Sequence, residues 1–148
     1  MDSKTAENSA LHEIYVAGGC FWGVEEYFSR IPGVVETRVG YANGRTPYPD
    51  YRSVCSGQTG HAETVRVRYD IATVSLATLV RHFFRIIDPT SINRQGNDIG
   101  TQYRTGIYFE NAEEEETIRA SLLALTKEIG QPLAVECCPL LQYYTAEE

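Results

Sequence analysis

The chain has 148 residues, enough for one domain with a real hydrophobic core and little room for a second. Its 13 basic residues against 20 acidic ones give a formal net charge of −7, the opposite of the balance that phosphate neutralisation demands of a nucleic-acid binder. No stretch approaches the roughly 20 apolar residues of a membrane span. Residues 1–11 also lack the basic-then-apolar pattern of a secretion signal, so a cytoplasmic protein is expected.

Residues 1–11 read as a flexible N-terminal tail, and 12–148 as a single domain. The apolar run from Glu13 to Ala17 suits a buried strand and breaks at Gly18-Gly19. A helix is predicted from about Cys20–Trp22 to Ser29, stopped by Ile31-Pro32-Gly33, with a second strand over Val34–Tyr41. Ala42 to Gly60 is long, irregular and rich in Gly and Pro, and a loop of that length in a compact domain is more often functional than idle. From His61 to Tyr69 the residues alternate, with Glu63, Val65, Val67 and Tyr69 on one face and Thr64, Arg66 and Arg68 on the other. That is a half-buried strand carrying Glu63 in line with its apolar face.

Ser75 caps a predicted helix to Ile87, where Asp88-Pro89 ends it. A second polar, glycine-rich loop spans Thr90–Gln102 and a strand follows over Tyr103–Phe109. Asn111 caps a helix over Glu113–Ile129, whose acidic start reads as a solvated first turn. Leu133–Cys137 is a last strand before an aromatic tail. This alternation of strands and helices points to an α/β or α+β two-layer sandwich.

Four cysteines stand at 20, 55, 137 and 138, with no Cys-x-x-Cys pair to suggest a zinc knuckle or a thioredoxin-like motif. Cys137 and Cys138 are strand neighbours whose side chains point to opposite faces, so they would not pair easily with each other. Cys20 stands apart. It follows two glycines at a strand-to-helix junction, where the backbone turns tightly and helix-terminal amides favour a thiolate. Phe21 and Trp22 follow it and could form an apolar slot. Taken alone, the same residues describe an inert core thiol among packed aromatics.

Gly-Cys-Phe-Trp-Gly stands at Gly19–Gly23, Val-Cys-Ser-Gly-x-Thr-Gly-His-Ala-Glu at Val54–Glu63, and Asp-Pro-Thr-x-x-Asn-Arg-Gln-Gly-x-Asp-x-Gly-Thr-Gln-Tyr-Arg at Asp88–Arg104. These three motifs, in this order, resemble the peptide methionine sulfoxide reductase A family, and the resemblance runs from about His12 onward. The expected fold is a mixed sheet with a ferredoxin-like core, flanked by helices and long active-site loops.

The resemblance implies thiol-dependent reduction of methionine-S-sulfoxide, free or protein-bound, and hence repair of oxidised proteins. Cys20 would be the nucleophile and would pass through a sulfenic acid. Glu63 would be the proton donor, which agrees with the raised pKa expected of a carboxyl on an apolar strand face. Tyr51 and Tyr103 would hydrogen-bond the sulfoxide oxygen, Asp98 would help orient it, and Phe21 and Trp22 would enclose the methyl group. Gly60 and His61 fall within the second motif and would border the substrate, with His61 structural rather than a base. A Cys20–His61 acyl-transfer enzyme and a non-catalytic methionine-binding module are the alternatives. No metal or organic cofactor is implied; thioredoxin, glutaredoxin or a small dithiol would restore the enzyme, and a monomer is expected.

Family members usually continue into a tail ending near Gly-Tyr-Cys, whereas this sequence stops at Ala146-Glu147-Glu148, and the expectation is that the usual tail is lacking. That leaves Cys55, Cys137, Cys138 or an external thiol to resolve the sulfenic acid. Ile87 replaces a histidine common in relatives.

Overall fold

A computed structural model describes residues 10–146. Among them, six strands form one mixed sheet in the order β7-β6-β1-β3-β2-β8, and a two-stranded ribbon, β4-β5, stands beside it. The strands are β1 (Leu11–Ala17), β2 (Val34–Ala42), β3 (Ala62–Asp70), β4 (Arg94–Gln95), β5 (Asp98–Ile99), β6 (Thr105–Phe109), β7 (Val135–Pro139) and β8 (Tyr143–Thr145). The helices are α1 (Phe21–Ser29), α2 (Tyr51–Cys55), α3 (Leu76–Phe84) and α4 (Ala112–Ile129), with a 3₁₀ turn at Thr101–Tyr103. The run β1-α1-β2-β3-α3-β6, with β1 antiparallel to both β3 and β6 and β2 antiparallel to β3, is the ferredoxin-like core. Among the described residues only β7 pairs in parallel, against β6, and it follows the crossover helix α4.

The period-two pattern read along β3 decides which face is covered. Val65, Val67 and Tyr69 join Ile14, Val16 and Ile107 in one buried cluster with Val24 and Phe28 of α1, Leu79, Val80 and Phe83 of α3, and Ile118 of α4. Arg66 and Arg68 point the other way and pair with Glu36 and Glu13 across β2 and β1. Cys137 and Cys138 follow the same rule: the first packs on the helix-covered cluster, the second on the smaller cluster with Tyr15 and Tyr108.

Several boundaries differ from the sequence reading. The first strand begins at Leu11, which the sequence placed in the tail, because its backbone pairs with Asp70; residues 1–9 lie outside the described residues. The 42–60 loop contains a helix, α2, whose Asp50 and Ser53 form a reciprocal capping box. The third helix ends at Phe84 rather than Ile87, since Arg85 and Ile86 donate to carbonyls three residues back as the chain tightens before Asp88-Pro89. The last paired stretches are Val135–Pro139 and Tyr143–Thr145, the latter an edge strand in what was read as a tail. Pro139 is tolerated because β7 is also an edge. Among the described residues, no helix is long and apolar enough to cross a membrane.

Candidate active site

Cys20 occupies the N-cap of α1 in extended geometry, at the end of the turn that leaves β1, and its side chain makes no capping hydrogen bond. The turn depends on Gly19, which has φ +83; a Cβ there would lie 2.9 Å from Gln95 Cβ. The Gly19 amide donates to the Tyr103 carbonyl at 3.2 Å, tying the turn to the 3₁₀ segment. The Cys20 thiol is half-buried.

Glu63 is 1% exposed and lies on the helix-covered face of β3. Its Oε1 accepts a 3.1 Å hydrogen bond from the amide of Phe21, the residue after Cys20. Its Oε2 is buried without a hydrogen-bond partner among the described residues. Burial pushes the carboxyl pKa up to about 7; the Phe21 amide opposes the shift and the charge of nearby Asp98 adds to it. A carboxylic acid poised near neutrality can deliver a proton where an ordinary glutamate cannot.

Phe21 is 1% exposed and Trp22 55% exposed, so one aromatic forms a floor and the other a wall facing solvent. Their rings meet edge-on with centroids 5.2 Å apart, and Tyr41 and Tyr51 lie 5.7 and 6.5 Å from Phe21. Tyr51 opens α2 and its hydroxyl hydrogen-bonds the Cys55 thiol, the main cause of a pKa above the ordinary phenol range. Tyr103 is pushed up to about 12, first by burial and then by the charges of Glu63, Cys55, Asp98 and Cys20. Both hydroxyls therefore keep their protons at neutral pH and can donate.

Asp98 opens β5 and pairs in register with Gln95 across the ribbon. Gln95 is a specified position of the third sequence motif, but the sequence assigns it no role. Its side chain accepts from the Asp88 amide at 2.8 Å and donates to the Asp88 carbonyl at 2.8 Å and to Thr105 Oγ1 at 2.9 Å. These bonds hold the ribbon against the sheet. Gly19, Cys20, Gly23, Gln95, Gly96 and Asp98 border a cavity of about 410 Å³ beside Cys20.

Gly60 and His61 stand differently. Gly60, with φ +74, turns the chain into β3 and faces Arg45. His61 is fully buried; its Nδ1 accepts from the Gly44 amide at 3.1 Å and its Nε2 donates to the Thr46 carbonyl at 2.7 Å. Both ring nitrogens thus hold the loop after β2, and neither is left for a dyad with Cys20 or for a substrate. The structure brings Cys20, Phe21, Trp22, Tyr51, Glu63, Asp98 and Tyr103 to one end of the sheet, and assigns Gly60 and His61 to the loop behind it.

The model of the family described as peptide methionine sulfoxide reductase matches residues 12–148. The chain is 53% identical over 135 residues to the peptide methionine sulfoxide reductase MsrA of Lachnoclostridium phytofermentans, covering 91% of this chain and 81% of that one. It is 52% identical over 138 residues to the MsrA of Clostridium botulinum, covering 93% and 88%. Among solved structures, methionine sulfoxide reductase A of Corynebacterium diphtheriae is similar with a TM-score of 0.82 and 39% identity, over 93% of this chain and 71% of that one. Mxr1 of Saccharomyces cerevisiae in its reduced form has a TM-score of 0.89 and 34% identity, over 95% and 82%. An aromatic floor beside a thiol at a helix N-terminus, a buried glutamate poised near neutrality and these relatives agree: the chain belongs to the peptide methionine sulfoxide reductase family and is an oxidoreductase of methionine sulfoxide.

Proposed function

We propose that the protein reduces the S epimer of methionine sulfoxide, free and within proteins, with Cys20 as nucleophile and Glu63 as acid. The observation that carries this reading is the 3.1 Å bond from the Phe21 amide to a Glu63 carboxyl titrating at about 7. It ties the acid to the residue next to the nucleophile and leaves Oε2 buried and unpartnered.

Cys20 thiolate attacks the sulfoxide sulfur while Glu63 protonates the oxygen, assisted by the Tyr51 and Tyr103 hydroxyls, with Asp98 orienting it. The oxygen then passes from the methionine sulfur to Cys20 Sγ as the newly formed sulfur–sulfur bond and the methionine S–O bond break, leaving methionine and a Cys20 sulfenic acid. Phe21 and Trp22 hold the methyl group. With methyl, oxygen and attack line fixed together, one configuration at sulfur fits and its mirror image does not. A dithiol then returns Cys20 to the thiol. Mxr1 has also been solved in complex with Trx2; for this chain a thioredoxin or a small dithiol is the reductant proposed, and repair of oxidised proteins the role.

The test is methionine formation from the separate S and R epimers with dithiothreitol, using Cys20→Ser as control. Turnover of the S epimer alone, lost in the variant, supports the reading. Turnover of both epimers, or activity surviving in the variant, overturns it.

A further inference from the structure

Displacement at sulfur is an in-line process: the incoming atom approaches opposite the bond that breaks. In the proposed cycle the oxygen of the Cys20 sulfenic acid lies toward Glu63, Tyr51 and Tyr103, where it was protonated. The reducing thiol must then reach Cys20 from the other side. Beside Cys20 lies the cavity of about 410 Å³, bordered by Cys20, Gly23, Val24, Ile86, Gln95 and Gly96. Apart from Asp98, none of the residues assigned to the oxygen or the methyl group borders it.

Two glycines keep this cavity open. A Cβ built on Gly23 or on Gly96 would meet no heavy atom within 4 Å. Gly96 needs its glycine for backbone reasons, with φ +59, but Gly23 lies within a regular helix, where glycine is a poor former and any side chain could be carried. Helix stability therefore does not account for Gly23, which borders the cavity beside Cys20.

We infer that the cavity between Gly23 of α1 and the Gln95–Gly96 turn is the entry site for the thiol of the dithiol reductant, separate from the methionine slot. The inference rests on the reductase reading above. The thiolate enters over Gly23 and its sulfur bonds to Cys20 Sγ as the S–O bond breaks. The oxygen leaves as water, taking a proton from the Glu63 side. Cys20 sulfur is reduced to the disulfide level and the incoming sulfur is oxidised. The second thiol of the reductant attacks its partner's sulfur, the mixed disulfide breaks, and Cys20 departs as thiolate.

The test separates the two half-reactions in Gly23→Leu, which adds a side chain into the open space without loss of helix propensity. Mixed with methionine-S-sulfoxide and no reductant, the variant is expected to release about one methionine per chain, as the one-thiol stoichiometry requires, at the unsubstituted rate. Recycling by dithiothreitol after that first turnover is expected to fall at least ~10-fold, with Gly23→Ala intermediate, as for a blocked approach. Recycling unchanged in Gly23→Leu overturns the entry site. Loss of the first methionine release in Gly23→Leu also overturns it, because the cavity would then hold substrate. Absence of that release in the unsubstituted protein would instead remove the reductase reading beneath it.

Discussion

The amide of Phe21 donates to the carboxylate oxygen of Glu63 at 3.1 Å, although the two residues stand 42 positions apart in the chain. One bond thereby joins the first turn of α1 to the covered face of β3 and fixes the distance from the proton donor to the residue beside the nucleophile. A helix-terminal amide would ordinarily favour the ionised carboxyl, but burial outweighs it and the net shift is upward, to about 7.

The rate of sulfoxide reduction should follow that ionisation. Methionine release by the unsubstituted protein is expected to be high below pH 7 and to fall as Glu63 loses its proton above it. Glu63→Gln, which keeps an acceptor for the Phe21 amide, should lose about 100-fold or more in rate. Its remaining activity should lack the decline near pH 7. Single-turnover rates from pH 5 to 9 decide the matter, and a variant retaining the decline would assign it to another group.

Stability carries the same signature. The folded pKa of about 7 stands above the ordinary 4.5, so between these values the folded protein holds a proton that the unfolded chain has released. The associated stability is fully present below pH 4.5 and is lost as pH rises through about 7. Glu63→Gln is expected to remove this slope and to melt a few degrees higher than the unsubstituted protein at pH 8, on the scale of roughly 2–4 °C per kcal/mol. Thermal melts of both proteins at pH 5 and pH 8 test it; parallel responses would refute the assignment.

Replacing His61 separates a loop clamp from a base. His61→Ala removes two hydrogen bonds and leaves a cavity, at a cost of about 3 kcal/mol in unfolding free energy. Its activity, measured well below the melting range, should fall far less than in Cys20→Ser. A stable His61→Ala protein with activity abolished would restore the dyad that the ring geometry opposes.

The two aromatics should divide by exposure. Trp22→Ala removes a half-exposed wall, so the KM for methionine sulfoxide should rise with little change in melting temperature. Phe21→Ala opens the core beneath the slot and should cost about 3–5 kcal/mol of stability. Similar effects of the two substitutions on KM and on melting would contradict the floor-and-wall arrangement.

Much of the site was legible in the chain because its parts are local. The strand-to-helix turn at Gly18–Cys20, the alternation that puts Glu63 with Val65 and Val67, and the caps at Ser75 and Asn111 are each decided by neighbours within a few residues. The short helix at Tyr51–Cys55 was missed although its capping box is local as well, since Gly and Pro on either side masked it. The β8 strand was not legible: Tyr143–Thr145 consists of strand-favouring residues, but three residues show no period-two pattern, and only the edge of β2 that they meet makes them a strand.

The sequence by itself determined the βαββαβ order, the covered face of the sheet, and the residue types available for sulfur chemistry, because periodicity and turn chemistry act over short distances. Only the tertiary structure decided which of those residues meet. The Phe21–Glu63 bond, the Gln95 clamp on Asp88 and Thr105, and the occupied nitrogens of His61 join segments distant in the chain. The pKa of Glu63 was likewise decided there, because desolvation depends on every element packed around a carboxyl and no stretch of sequence contains that sum.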